Sequence, residues 1–102
     1  MWAMVSLSAG CSPLSPIDAS DDIADIIPSR APGVDFFVMF SNRPNLMING
    51  DLPADRLSVI GARLKRLGCR DPRMLRERAE PRDGTWALGR PKMVYASEWV
   101  CQ

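Results

Sequence analysis

The feature that most constrains the fold is a nearly continuous apolar run at residues 34–40, interrupted only by Asp35. Apolar runs of this length, bounded by turn residues, are typical of a strand that is buried on both faces of a sheet. Asn42–Asn45 follows with turn chemistry, because Pro44 fixes its own φ and asparagine tolerates tight backbone geometry. The next apolar residues, Leu46–Ile48, predict a short second strand, so we expect a hairpin here.

The pattern after this hairpin predicts an amphipathic helix. Asp51 is the expected N-cap, Pro53 suits the first turn, and Gly68 is expected just past the C-terminal end. Apolar residues recur at spacings of three and four, which gives one stripe that packs on the sheet. The stripe consists of Leu57, Ile60, Leu64 and Leu67. The residues expected on the opposite, solvated side are Arg56, Arg63 and Arg66.

Two strands are predicted in the last third of the chain, at Arg73–Glu80 and Met93–Val100. The second is rich in Val, Tyr and Trp, which are typical of strands. The first contains good helix formers, so a helix is the alternative, but prolines bracket it at strand length. Between the two strands, residues 81–84 predict a turn, and residues 85–88 are a candidate for a short extra strand.

The cysteines constrain how these two strands pair. If the strands form a long antiparallel hairpin, Cys69 and Cys101 both fall at its open end, just outside the paired residues. We therefore predict a Cys69–Cys101 disulfide and direct pairing of the two strands, with two buried free thiols as the alternative. Disulfides persist in exported proteins, so this prediction bears on where the protein works.

The residue types present exclude several classes of chemistry. The chain of 102 residues contains no histidine, so it can form no Ser-His or Cys-His pair and no imidazole metal site. Its three cysteines form no CxxC pair, which argues against a zinc or redox centre. We therefore expect one domain that is not an enzyme and binds no metal or cofactor. No apolar run approaches the roughly 18 residues that a membrane-spanning helix needs.

Leu7–Cys11 is a short apolar segment that ends on small residues and one cysteine. It resembles the lipobox of bacterial lipoprotein precursors. The resemblance implies that residues 1–10 are a signal segment and that Cys11 becomes a lipidated N-terminus. The signal segment is short and carries no Lys or Arg, so either the translation start lies upstream of Met1 or the resemblance is accidental. Ser12 is compatible with sorting to the outer membrane, on the periplasmic side.

Residues 11–33 separate this segment from the predicted strand. They contain four prolines, several serines and four aspartates, a composition that buries little apolar surface. We therefore expect a flexible tether there and a folded domain at residues 34–102. Within the tether, Ser20–Ile27 is a candidate for one or two helical turns. Its aspartates lack the glycine and the closing glutamate of a calcium loop.

Two features are candidates for a partner surface. The first is a basic cluster around Arg63, Arg66 and Arg70, since the second half of the chain carries eleven Lys or Arg against seven Asp or Glu. It can attract an anionic partner, although a solvated surface is the simpler interpretation, and nucleic acid is disfavoured because no recognition motif is present. The second is Trp86, in the predicted loop, which either contacts a partner or folds back over the sheet.

Together these features predict an α+β fold, with a small antiparallel sheet of four to five short strands and one helix packed on one face. We expect a non-catalytic, lipid-anchored protein of the bacterial cell envelope that binds a protein partner as a structural or adaptor component. Two acyl chains would hold such a protein stably in a membrane. The alternative is a cytoplasmic binding module of the phage or mobile-element type, using its basic surface on nucleic acid or an acidic protein.

Overall fold

The computed structural model describes residues 23–101, which form four antiparallel strands and one long helix. In chain order the elements are β1 (Ala24–Pro28), β2 (Phe36–Ser41), α1 (Pro53–Arg66), β3 (Arg73–Thr85) and β4 (Pro91–Val100). The strands lie in the order β1-β2-β4-β3, so the chain passes through α1 to the far edge and returns into the middle of the sheet. The predicted α+β fold class is confirmed, with four strands.

β2 lies inside the sheet, as the apolar run predicts, and one of its faces forms the core. Val38 and Phe40 are fully buried there against α1. The helix residues in this core are Val59, Ile60 and Leu64. Because successive strand residues point to opposite faces, Phe37 and Met39 lie on the other face, where they are half-buried. No element within residues 23–101 covers that face, so the expected burial on both faces is wrong for the described part of the chain.

β1 forms one edge of the sheet by pairing with β2. Ala24 lies opposite Phe40, and Pro28 lies opposite Phe36. Ile23 and Ala24 are buried in the core, so this strand is an integral part of the domain. β1 is a strand because it pairs with β2, and the composition of residues 24–28 alone does not reveal that pairing.

This strand corrects two expectations about the N-terminal third. Ser20–Ile27 is not helical in its described part, because residues 24–27 belong to β1. The flexible tether does not extend to residue 33, because the folded domain includes Ile23 and all that follows up to Cys101. The predicted signal segment, the lipidation site Cys11 and the first part of the tether lie outside the described residues.

The hairpin expected after β2 is not formed. Leu46–Ile48 is part of an irregular connection that leads to α1, and Leu46 is fully exposed. Both edges of β2 are already paired, with β1 on one side and β4 on the other. β2 therefore has no free edge with which a strand at residues 46–48 could pair.

α1 begins and ends close to where the sequence predicts. Pro53 is its first residue, and Gly68 follows its C-terminal end with a φ of +99°. Asp51 does not cap the helix, because its carboxylate accepts hydrogen bonds from three other side chains. The N-cap position is occupied by Leu52, which makes no side-chain cap hydrogen bond.

The buried face of α1 is rotated relative to the predicted stripe. Ile60 and Leu64 are buried as expected, but Leu57 and Leu67 are 41% and 60% exposed. Arg56 was expected in solvent and is buried instead. A buried guanidinium is tolerated only when it is fully paired, and Arg56 meets that condition within the domain.

β3 and β4 pair directly, and a disulfide closes their open end. Arg73 lies opposite Val100, close to the register that the hairpin prediction requires. Cys69 and Cys101 are joined by a disulfide, with 5.1 Å between their Cα atoms. The strand interpretation of Arg73–Glu80 is confirmed, and so is the predicted disulfide.

β3 continues to Thr85, so the turn expected at residues 81–84 is wrong. Pro81 is tolerated because β3 is an edge strand, where a missing N–H costs little. Gly84, with a φ of +97°, lies where the register with β4 becomes irregular. The chain turns instead at Trp86–Arg90, so the extra strand expected at residues 85–88 is not formed.

Gly50 marks a close passage of the connection before α1 over the end of β2. A Cβ atom there would lie 2.9 Å from Cα of Asn42 and 3.1 Å from the carbonyl oxygen of Ser41. We expect Gly50→Ala to lower the free energy of unfolding by about 1–3 kcal/mol, because backbone atoms must shift. Gly61 in α1 has open space at the same position, so Gly61→Ala should raise it by about 0.5–1 kcal/mol. Urea unfolding measures both, and equal effects would contradict the close passage.

Candidate functional site

The sheet face turned away from α1 is the candidate binding surface, and we call it the open face. Antiparallel register places its side chains in rows across the four strands. One row runs from β1 to β3 through Asp25, Met39, Ala96 and Arg78. The adjacent row runs through Ile27, Phe37, Glu98 and Arg76. Apart from Asp25, these residues line a shallow groove of about 360 Å³.

Apolar side chains fill the middle of the open face. Phe37, Met39 and Ala96 are half-buried, and Ile27 is 50% exposed. Apolar groups that lie together on a protein surface, bordered by charged groups, are typical of binding sites. The open face can therefore bury a continuous apolar surface against a partner, whereas isolated exposed apolar residues cannot.

Ion pairs border the open face along its β3 side. Arg76 pairs with Glu98 at 2.9 Å, and Glu80 pairs with Arg78 at 2.6 Å and with Arg82 at 3.2 Å. Hydrogen bonds from Arg78 and Arg82 lower the pKa of Glu80. Exposed pairs of this kind contribute little to stability because water and salt screen them. A carboxylate on a partner can therefore compete for these arginines.

A polar cluster around Asp51 lies where the connection before α1 meets the β3–β4 turn. The Asp51 carboxylate accepts hydrogen bonds from the Tyr95 hydroxyl at 2.7 Å, Nδ2 of Asn42 at 3.0 Å and Nε of Arg90 at 2.8 Å. Arg90 also donates from Nη2 to Oδ1 of Asn49 at 2.6 Å. These bonds join two segments that are about forty residues apart in sequence.

Asn42 completes this cluster from inside the domain, where it is 1% exposed. Its Nδ2 also donates to the carbonyl oxygen of Pro91, and its Oδ1 accepts from Nε1 of Trp86 and from the backbone N–H of Met93. Both ends of the amide are thus paired, as a buried polar side chain requires. The cluster is best described as a clamp that fixes the two connections to each other.

Arg56 extends the clamp from α1 to β3. Its Nε and Nη2 donate to the two carboxylate oxygens of Glu77 at 3.0 and 2.8 Å, and its Nη1 donates to the carbonyl oxygen of Gly50 at 2.8 Å. The guanidinium carbon lies 3.7 Å from the ring centroid of Tyr95. A bidentate pair with a stacked ring is a geometry that lysine cannot reproduce.

The hydrogen bond between the Tyr95 hydroxyl and the Asp51 carboxylate joins two groups whose pKa values are both shifted. Burial alone would raise the pKa of Asp51, but hydrogen bonds from Tyr95, Asn42 and Arg90 outweigh it, so the pKa lies below its ordinary value. Burial and the hydrogen bond to Asp51 together raise the pKa of Tyr95. At neutral pH the bond therefore joins a carboxylate to an un-ionised phenol.

We expect this clamp to make stability depend on acid pH. Because the pKa of Asp51 is lower in the folded chain than in the unfolded one, its contribution is present above about pH 4 and is lost as pH falls through the folded value. Asp51→Asn should be less stable at pH 7 and lose less stability on acidification, whereas Asp83→Asn, on the exposed end of β3, should follow the parent. Urea unfolding between pH 7 and about 3 measures this. Parallel curves for Asp51→Asn and the parent would contradict it.

Trp86, a predicted partner residue, is folded back on the domain. Its Nε1 donates to Oδ1 of Asn42 at 2.8 Å, and Nζ of Lys92 lies 4.6 Å from its ring centroid. The side chain is half-buried, so it offers only part of its ring to a partner. Its role in partner binding stays a prediction.

The predicted basic cluster of Arg63, Arg66 and Arg70 lies on α1 and just after it, and its role in partner binding stays a prediction. Arg63 donates from Nη1 to the carbonyl oxygen of Ala24 at 2.9 Å, which ties α1 to the edge of the sheet. Arg66 and Arg70 are exposed near the C-terminal end of α1. The arginines of β3 that border the open face lie on the opposite side of the sheet. The positive charge of the second half is therefore divided between two faces.

Sequence reasoning missed the open face and the clamp. The open face could have been found from β2 alone, because successive residues of a strand point to opposite faces. That alternation places Phe37 and Met39 together on the face opposite Val38 and Phe40. The clamp residues are polar and scattered, and no spacing connects Asn42 with Asp51 and Tyr95. Among residues 23–101, no group of three or more Cys, Asp or Glu residues is placed to hold a metal ion.

Comparisons with protein-family models, with curated proteins and with solved structures each gave no match. In the described part of the chain, no helix has the length and apolar content needed to cross a bilayer.

Proposed function

We propose that this chain is a small non-catalytic adaptor protein of the bacterial cell envelope, anchored in a membrane by lipid on Cys11 and binding a protein partner. The observation that carries the proposal is the open face, an apolar sheet surface bordered by arginines in a domain closed by a disulfide. Interfaces between proteins combine an apolar centre with a polar rim in the same way.

Two properties of the cysteines support export. Disulfides such as Cys69–Cys101 persist in the periplasm and are rare in the cytosol. Cys11 is the one remaining cysteine, and it ends the segment that resembles a lipobox. Residues 12–22 would give an anchored domain at most roughly 40 Å of reach, at about 3.5 Å per residue.

Expression of the gene with its native upstream region in a bacterium tests the anchor. We expect the protein to enter the detergent phase on phase partitioning and to show an increase in mass located at Cys11. The matched variant Cys11→Ser should stay in the aqueous phase with no such increase. The alternative, a cytoplasmic module that binds nucleic acid or an acidic protein, instead gives an unmodified soluble chain with reduced Cys69 and Cys101. That result would overturn the proposal.

A further inference from the structure

We propose that the protein bound by the open face is a second copy of this chain, stacked face to face about a two-fold axis parallel to the strands. The inference rests on the proposed function in one respect, the use of the open face for docking. Most oligomers of soluble proteins are symmetric, and a two-fold interface requires a surface that is complementary to itself. The open face meets that requirement in its charges and in its side-chain sizes.

The charges of the open face are arranged asymmetrically across the sheet. The row Asp25, Met39, Ala96, Arg78 begins with an acid on the β1 edge and ends with a base on the β3 edge. Both charged residues are exposed, and Arg78 also pairs with Glu80 of its own chain, so Asp25 of a second copy would share this arginine. Neighbouring strands are about 4.8 Å apart, so three spacings separate these two backbones by about 14 Å. Asp25 and Arg78 are therefore too far apart for an ion pair within one chain.

A two-fold axis parallel to the strands reverses the strand order of one sheet over the other. β1 of each copy then lies over β3 of the second copy, and β2 lies over β4. The rotation does not change a residue's position along the strand direction. The row that contains Asp25 and Arg78 therefore stacks on the same row of the other copy, running in the reverse direction. Asp25 of each copy consequently meets Arg78 of the other, and the interface contains this pair twice.

The same operation pairs the apolar residues by size. Met39 of each copy lies over Ala96 of the other, so a long side chain meets a short one in the roughly 10 Å between stacked sheets. In the adjacent row, Phe37 of each copy lies over Glu98 of the other and Ile27 lies over Arg76, so the two apolar side chains cover an ion pair whose charges cancel.

The alternative face-to-face arrangement has its two-fold axis perpendicular to the strands. That axis would stack β1 on β1 and β3 on β3, so no arginine of one copy would lie opposite Asp25 of the other. Asp25 would then be covered without an opposite charge, which is unfavourable in an interface. The charge pattern therefore selects the axis parallel to the strands.

An exchange of charges between Asp25 and Arg78 tests this geometry. The full chain carrying Cys11→Ser, which lacks both the anchor and the free thiol, serves as the reference in sedimentation velocity over a range of concentrations. We expect it to dimerise, and we expect Asp25→Arg and Arg78→Asp each to weaken dimerisation by at least about tenfold. The double variant should recover most of the affinity, because the pair is restored between copies. Asp71→Arg, exposed outside the open face, is the matched control and should leave dimerisation unchanged.

Several results would overturn the inference. One is a reference chain that stays monomeric at every concentration, as expected if residues 1–22 of the same chain cover the open face. Another is a dimer that Asp25→Arg does not weaken, or a double variant that is weaker than both single ones. If a monomeric chain still crosslinks in cells to a different protein through position 39, the second copy is excluded while the proposed adaptor function stands.

Discussion

Glu77→Ala is expected to destabilise the domain by about 3 kcal/mol, because it leaves the buried guanidinium of Arg56 without its bidentate partner. The side chain of Arg56 is 5% exposed and that of Glu77 is 19% exposed, so water can replace little of what is lost. The stacking of Arg56 on Tyr95 and its hydrogen bond to Gly50 would remain. Nε and Nη2 of Arg56, which donate to Glu77, would lose their acceptors. Urea unfolding at pH 7 measures the change in free energy.

Two variants separate this effect from a general effect of altering β3. Glu80→Ala removes another paired carboxylate from the same strand, and its loss of stability should be much smaller because both arginine partners of Glu80 are exposed and stay hydrated when it is removed. Arg56→Met leaves the Glu77 carboxylate unpaired instead, and because that group is more exposed than the guanidinium, the variant should cost less than Glu77→Ala. Equal losses for Glu77→Ala and Glu80→Ala would contradict the burial of the pair.

Removal of the disulfide by the double replacement Cys69→Ala and Cys101→Ala is expected to cost about 3–4 kcal/mol. The bond joins residues 32 positions apart, and cross-linking a loop of that length restricts the unfolded chain by about this amount. Small domains are held by roughly 5–15 kcal/mol in all, so the loss is a large share of the total. The wild-type chain measured under reducing conditions should match the double variant.

Cys11→Ser is the matched control for the disulfide, because Cys11 is the cysteine outside the bond. We expect it to leave the free energy of unfolding of the domain unchanged in both oxidising and reducing buffer. A double variant as stable as the oxidised parent would show that the bond does not support the fold. A large loss from Cys11→Ser would contradict the assignment of that residue to attachment alone.

The elements that sequence predicts well are those whose signals are local. The apolar run of β2 and the termini of α1 each depend on neighbouring residues, and both are found where expected. The β3–β4 hairpin is also predicted, because a pair of cysteines at its open end adds one long-range constraint. Edge strand β1 is missed because the aspartates and prolines of residues 11–33 resemble a linker, while the burial of β1 depends on pairing with β2.

The features missed in the site depend on partners that are distant in sequence. Arg56 is predicted to be solvated from helical periodicity alone, since its burial requires Glu77, twenty-one positions later. Asp51 resembles an N-cap because it precedes Pro53, yet Tyr95 and Arg90 compete successfully for its carboxylate. Phe37 and Met39 are expected in a core because an apolar strand does not disclose whether both of its faces are covered.

Site-specific photo-crosslinking in intact cells tests whether the open face binds a protein. A photoreactive amino acid replaces Met39 on the open face or, as the matched control, Ala54 on the exposed first turn of α1. We predict one discrete crosslinked product from position 39 and none from position 54, with twice the mass of the chain if the partner is a second copy. No product from position 39, or the same products from both positions, would contradict the proposal that the open face binds a protein.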